Sequence, residues 1–294
     1  MLLRHLRYLL AIAEHGNFTR AAEALHVSQP TLSLQIRQLE ESLGVQLLDR
    51  SGRTVRPTDM GAVYIEQARR AMRELAAGER AIHDVQTLDR GTLRLAMTPT
   101  LTPYLSGPLV AAFHARHAGI VLHVDEMPLD SMVQALIEDR LDLGMAFSTS
   151  DAEELECQPL FKEKLAVVVR AEHPLARRRT ALTPAMLHGA PMALLNASFA
   201  TRSHAHAYFQ AHGVAPHVAI ETNTIIALLE IIRRQDIATI LPRAIVTEQR
   251  WLRALRLTPP LAERIAALLY RRGSYRSAAA SAFTALVRDW QPPG

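Results

Sequence analysis

Leu2, Leu6, Leu9, Leu10 and Ala13 recur at three- and four-residue spacing, which predicts a first helix closed by His15-Gly16. Asn17 can cap a second, short helix, Phe18 to Leu25, in which Ala21, Ala22 and Leu25 carry little bulk to hold neighbouring helices apart. After a turn at His26-Val27, Ser28 supplies an N-cap and places Pro30 in the first turn of a third helix, where its missing N–H costs little. At about 100° per residue, Leu32, Ile36, Leu39 and Leu43 form one buried stripe. Pro30, Thr31, Leu34, Arg37 and Gln38 point away from it, Ser33 lies on its flank, and Gln29 projects from the N-terminal end.

Two helices joined by a tight turn, the second presenting hydroxyl, amide and guanidinium groups, make the pattern of a helix-turn-helix. Those groups hydrogen-bond base edges and phosphates. Periodicity alone fits a plain surface helix of a bundle equally well. The run "LLDRSGRTVRPT", Leu47 to Thr58, separates the two readings, because its short strand-like arms surround Ser51-Gly52 with Arg50, Arg53 and Arg56 in or beside the turn. Three arginines on one hairpin repel each other unless a polyanion shares the site, so the hairpin reads as a wing lying on DNA.

Thr58 can cap a helix from Asp59 to about Leu88. Ile65, Ala68, Met72, Leu75 and Ile82 follow the seam spacing of a two-helix coiled coil, which Glu79 interrupts, while Arg69, Arg70, Arg73, Glu74 and Arg80 keep the other sides polar. Pairing with a second chain fits this better than packing on its own domain.

Beyond Gly91 strands alternate with helices. Leu93 to Met97, a helix within Leu105 to His117, Ile120 to Asp125, a helix from Asp130 to Glu138 and Leu141 to Phe147 form a first unit. A second comprises Leu165 to Val169, Pro191 to Leu195, a helix from Thr201 to His212, Val218 to Glu221, a helix from Thr224 to Arg234 and Ile237 to Leu241. Ile265 to Tyr270 returns to the first unit, and a helix from Ser277 to Trp290 closes it. The alternation implies parallel sheets with crossover helices. Ligands of such folds lie near carboxyl ends of strands and N-termini of helices. "MTPTLTPY" therefore offers Thr98, Thr100 and Thr102, "NASFATR" offers Ser198, Thr201 and Arg202, and Phe147, Ser148 and Thr149 end another strand at the expected cleft. Each threonine taken singly is also accounted for by routine capping. Hydroxyls with one arginine and no large apolar lining suit a small anion.

Composition removes other classes. The apolar runs around Val167 and Ile226 are far shorter than the about 18 residues that span a bilayer, so a cytoplasmic protein with no membrane partner is expected. A single cysteine, Cys157, forbids an intrachain disulfide and argues against a thiolate metal cluster. Net charge is +4, but Met1 to Asp59 carries seven arginines against six acids, so arginine placement rather than bulk charge supports nucleic-acid binding. No nucleophile elbow, phosphate-binding loop, HExxH or Gly-rich dinucleotide loop occurs, and His204 and His206 point to different sides of their helix. No enzyme, metal site or cofactor is expected. The rival of another class is a solute-binding or enzymatic α/β domain fused to a DNA-binding module.

The run "FTRAAEALHVSQPTLSLQIRQLEESLGVQLLDRSGRTVRPTDMG" resembles the winged helix-turn-helix of the LysR-type transcriptional regulators, and the resemblance extends over the chain. It implies an α+β multidomain protein: a winged helix-turn-helix over 1–58, a linker and dimerisation helix over 59–90, and a two-lobed, periplasmic-binding-protein-like effector domain over 91–294. Lobe I would span about 91–162 and 269–294, and lobe II about 163–268. The family further implies double-stranded promoter DNA, RNA polymerase, a small-molecule effector and a homo-oligomer, dimer or tetramer, as partners. Carried over by position, Gln29, Pro30, Ser33 and Leu34 would face bases, and Thr31, Arg37, Arg50 and Arg53 would hold phosphates. Leu34 departs from the Arg or Gln of many relatives; it either packs on a thymine methyl or is an exposed leucine without a role. The runs "RAIHDV", "TPT", "GPL", "FATR", "ETN" and "LLEIIRR" resemble the branch that controls cyanate detoxification, which implies an activator answering to cyanate. The alternative within the family is a regulator of another pathway with an organic-acid effector.

Overall fold

The computed structural model describes residues 3–52, 54–84, 91–147, 153–247 and 249–290. The chain divides into two compact units, 1–82 and 83–294.

The first unit begins with α1 (Leu3–His15), α2 (Phe18–Ala24) and α3 (Gln29–Leu43). Asn17 caps α2, its Oδ1 accepting from the N–H groups of Thr19 and Arg20, and Ser28 caps α3 by accepting from Thr31 N–H. The turn between α2 and α3 closes with Val27 N–H donating to Ala22 O at 3.0 Å, which requires His26 to adopt φ +55°. Leu9, Ile12, Ala21, Ala22, Leu32, Ile36 and Leu39 pack as one core. Alanines on α2 let it approach both other helices. Two short antiparallel strands follow, β1 (Leu48–Asp49) and β2 (Arg56–Pro57), paired Leu48 to Pro57 and Asp49 to Arg56.

A long helix, α4 (Asp59–Asp84), starts at Thr58, whose Oγ1 accepts from Gly61 N–H at 2.9 Å and donates to Gln46 O at 2.8 Å. Gly61 has no Cβ because one would lie 1.9 Å from Leu47 O. The expected seam divides: Ile65 joins the core of its own unit, whereas Leu75 is 47% exposed. The first turns of α4 therefore complete the helical core before the helix runs on. The side chains of Glu79, Arg80 and Ile82, and residues 85–88, lie outside the described residues.

The second unit holds two lobes. Lobe I contains β3 (Gly91–Met97), α5 (Thr102–Arg116), β4 (Ile120–Glu126), α6 (Leu129–Ile137), β5 (Leu143–Phe147) and β6 (Leu155–Glu163). Lobe II contains β7 (Leu165–Arg170), β8 (Pro191–Leu195), α7 (Ala200–Ala211), β9 (His217–Thr222), α8 (Ile225–Arg234), β10 (Thr239–Pro242), α9 (Arg243–Thr247) and β11 (Leu252–Leu255). The chain then returns as β12 (Arg264–Arg271) and ends in α10 (Ala278–Asp289). The sheet of lobe I has the order β4-β3-β5-β12-β6, with β3 parallel to β4 and β5 and with β12 antiparallel to β5 and β6. Re-entry is thus at Arg264 rather than near 269, because β12 pairs with lobe I along its whole length. In lobe II, β7 lies between β10 and β11, β8 is parallel to β9, and a bridge from Met192 to Ala238 links the two groups.

Both sheets are covered on both faces. Leu93, Leu95 and Met97 face one core and Ala96 the other, and on β7 Ala166 and Val168 face away from Leu165, Val167 and Val169. This is why those strands read as continuous apolar runs rather than as alternation.

Candidate functional sites

Gln29, Pro30, Thr31, Leu34 and Arg37 are exposed on α3, and Ser33 is half-buried on its flank. Leu34 is 52% exposed. The Arg37 side chain has no hydrogen-bond or ion-pair partner among the described residues. Thr31 Oγ1 shares a 2.7 Å hydrogen bond with Ser28 Oγ.

The wing is tied to α3 by Glu40, a residue that sequence reasoning does not single out. Its Oε1 accepts from the N–H groups of Leu47 and Leu48 at 2.9 and 3.1 Å, and its Oε2 accepts from Arg50 Nη2 at 2.7 Å. The Arg50 guanidinium also lies 5.1 Å from the Phe18 ring centroid. Arg50, expected to hold a phosphate, is therefore already paired within the unit, although its side chain keeps 34% exposure. At the foot of the hairpin, Asp49 accepts from Ser51 N–H at 2.9 Å, and this backbone hydrogen bond holds its carboxyl below the ordinary range. Arg53 lies outside the described residues.

In the second unit a cleft of about 500 Å³ opens between the lobes. Thr98, Thr100 and Phe147 line it from lobe I, and Ser198, Phe199 and Asn223 from lobe II. The helices α5, α6 and α7 begin here, at Leu101, Pro128 and Phe199, and none has a side-chain cap. The first N–H groups of α6 and α7 are thus open to an acceptor, whereas at α5 Thr102 N–H donates to Thr98 O, Tyr104 N–H donates to Leu101 O and Pro103 has none; the positive ends of all three helix dipoles stand behind. The Thr98 hydroxyl is buried without a hydrogen-bond partner. Such an orphan in a cleft wall is a donor awaiting an acceptor.

Other expected cleft residues sit elsewhere. Thr102 turns its Oγ1 back to Thr98 O at 3.4 Å and does not line the cavity. Thr201 is buried in the first turn of α7, its hydroxyl without a partner, and it too lies off the lining. Arg202 donates to Glu221 Oε2 at 3.0 Å and to Leu195 O at 3.4 Å, which draws it against β9 and out of the cleft. Ser148 and Thr149 lie outside the described residues. The lining also contains apolar groups that the sequence pattern does not anticipate, Phe199, Met127 and Leu129, and two carboxylates, Glu126 and Asp130. The strand-to-helix turn "EMPLD" is the sequence signal that could have found the α6 contribution.

Behind Phe147 stands a buried charge cluster. Glu163 and Arg264, directly opposite in the β6–β12 ladder, have side chains 2% and 3% exposed. Arg264 Nε donates to Glu163 Oε2 at 2.6 Å, Tyr104 Oη donates to Glu163 Oε1 at 2.5 Å, and the guanidinium carbon lies 3.6 Å from the Phe147 ring centroid. Burial pushes the Glu163 carboxyl up, opposed by Arg264 and by the Tyr104 hydroxyl, and burial together with the Glu163 charge pushes the Tyr104 phenol up. The cluster occupies the last rung of lobe I where the chain crosses to lobe II, just before β7.

Among the described residues no group of His, Cys, Asp and Glu could hold a metal ion, and no helix is long and apolar enough to cross a membrane.

A small helical unit with a wing, followed by a two-lobed α/β unit with a cleft between its lobes, is the organisation of a transcriptional regulator. Residues 3–62 match the bacterial regulatory helix-turn-helix protein of the lysR family, and residues 86–292 match the LysR substrate binding domain. The chain belongs to the LysR family: it is a DNA-binding transcriptional regulator and not an enzyme. It is 31% identical to the hydrogen peroxide-inducible genes activator of Dickeya chrysanthemi, over 93% of this chain and 90% of that protein. Identity is also 31% to the RuBisCO operon transcriptional regulator of Allochromatium vinosum, over 97% of this chain and 95% of the relative. Its fold is similar to that of a full-length OxyR variant from Pseudomonas aeruginosa, with a TM-score of 0.73, 23% identity and 99% of both chains covered.

Proposed function

We propose that this regulator reads promoter DNA with α3 and the wing, and that a small anion in the interlobe cleft controls the outcome. Gln29, Pro30, Ser33 and Leu34 face bases, and Thr31, Arg37, Arg50 and Arg53 hold phosphates. The observation that carries the reading is the exposed end of α3, where unpaired Arg37 and apolar Leu34 stand beside a hairpin held in place by Glu40. Arg50 reaches a phosphate by leaving its partly exposed ion pair with Glu40.

In the cleft, Thr98, Thr100, Phe147 and Ser198 form the effector-binding region, with the uncapped starts of α6 and α7 as anion donors. Cyanate or a similar anion is the effector, and the protein acts as an activator that engages RNA polymerase at its promoter. A second reading within the same site is favoured by Phe147, Phe199 and Leu129 in the lining, which suit an organic acid with an apolar body. The peroxide named for the Dickeya relative could not act here through an intrachain disulfide, because this chain has one cysteine.

Assembly into a dimer or tetramer is supported by exposed apolar side chains on edge strands and on α8: Val121 and Val124 on β4, Val218 on β9, and Ile226 at 78% exposure. Met72 and Leu75 of α4 extend the same argument to the linker helix. The domain limits 1–58, 59–90 and 91–294 follow from these roles.

The test pairs a gel shift on the DNA upstream of the gene with calorimetry. Specific, salt-sensitive binding that is lost in Ser33→Arg without loss of the oligomer is expected, together with heat on adding cyanate that falls in Thr100→Val. Unchanged operator affinity in Ser33→Arg would remove the α3 assignment. Heat with an organic acid and none with cyanate would select the second effector reading.

A further inference from the structure

Lobe II carries a second concavity, of about 650 Å³, where β7, β11 and the start of α9 meet. Its lining mixes polar and apolar groups and includes the buried Leu257 and Leu261. Arg243 and Arg256 stand on its walls, both exposed, and neither side chain has a hydrogen bond or ion pair with any described residue. Lys164 also lines it but faces Glu263 at 3.8 Å. Four other guanidinium groups of this lobe are matched by carboxylates: Arg170 by Asp236, Arg202 by Glu221, and Arg233 and Arg234 by Glu230. An adjoining hollow of about 180 Å³ shares Arg256 and adds Arg178 and Arg179, which likewise have no carboxylate partner among the described residues.

The concentration of charge is local. Residues 163–268 contain thirteen basic and seven acidic side chains in a chain whose net charge is +4. Cations held together around one concavity repel each other until an anion joins them. Guanidinium groups bind carboxylate and phosphate through paired N–H donors, and a concavity of this size accommodates a ligand with a hydrocarbon or aromatic body.

We propose that this concavity is a second ligand site, for an organic anion whose carboxylate or phosphate is held by Arg243 and Arg256 and whose apolar body lies on Leu257 and Leu261. It is distinct from the interlobe cleft, with no lining residue in common. Lys164 and Glu263 place it beside both chain crossings, next to Glu163 and Arg264, so an occupant touches the two segments that join the lobes.

The experiment titrates the full-length protein with 8-anilinonaphthalene-1-sulfonate, an apolar ring system bearing one anionic group, and follows its fluorescence. Wild type is expected to show a saturable site that weakens at least tenfold in Arg243→Ala/Arg256→Ala and persists in the cleft variant Thr100→Val. Octanoate should displace the probe, and inorganic phosphate at equal concentration should not. Both arginines are exposed, so circular dichroism of the double variant should match wild type. The proposal is overturned if the double variant binds the probe as wild type does, if Thr100→Val abolishes the signal instead, or if phosphate displaces the probe as well as octanoate does.

Discussion

Removing the Arg264 guanidinium as Arg264→Met leaves the Glu163 carboxylate facing the Tyr104 hydroxyl alone, in a setting where its side chain is 2% exposed. Breaking a buried pair from one side typically costs about 3–5 kcal/mol, because the surviving charge can neither hydrate nor find another partner. The paired replacement Glu163→Leu/Arg264→Met removes both charges and the need to desolvate them, and is expected to cost only about 1–3 kcal/mol, for the buried Tyr104 hydroxyl that loses its acceptor. The double-mutant cycle then yields a coupling of about 3 kcal/mol or more. Both tryptophans of the chain, Trp251 and Trp290, lie in the effector unit, so urea unfolding followed by tryptophan emission reports on that unit within the intact protein. Chain concentration is held constant, since association adds to apparent stability. A cost below about 1 kcal/mol for Arg264→Met alone would refute the view that this rung is a desolvated ion pair.

Gly61→Ala drives a methyl carbon against the Leu47 backbone, with 1.9 Å to its carbonyl oxygen, and a backbone atom cannot step aside as a side-chain tip can. A loss of about 3 kcal/mol in the DNA-binding unit is expected, read by far-ultraviolet circular dichroism as an early transition while tryptophan emission still reports a folded effector unit; a single unshifted transition would contradict it. Glu40→Ala removes the acceptor for Leu47 and Leu48 N–H, and amide exchange at those two positions should accelerate about tenfold or more while the core amides of α1 stay protected. Unchanged exchange there would show that the wing is held by other contacts.

The helical caps of the first unit are legible in the sequence because capping chemistry is local: Asn17, Ser28 and Thr58 each accept from an N–H two or three residues on. Fold class is legible for a related reason, since strands covered on both faces and alternating with amphipathic helices leave few arrangements. What escapes is long-range. β6 runs Leu155–Glu163 as "LECQPLFKE", with Pro159 and charged ends that obscure a strand, and only its pairing with β12 explains it. Arg202 looks like a cleft cation from its place at the start of α7, but Glu221, nineteen residues on, claims it. Glu163 and Arg264 are 101 residues apart, so no local pattern could show that they meet. Apolar cleft residues escape for another reason: Phe199 and Leu129 sit in runs that also read as ordinary helix starts.

The position of β12 in the sheet of lobe I has a bearing on how the molecule is made. β12 is the strand that β6 pairs with, and it lies between β5 and β6, yet it is synthesised after all of lobe II. A nascent chain that has emerged only as far as lobe II has a complete helical core for DNA and an unfinished half-sheet where the effector unit begins. The second unit thus closes late and as a whole, when residues 264–271 slot in and Arg264 meets Glu163. A truncated product of this gene would keep the DNA-binding unit and lack a closed second unit.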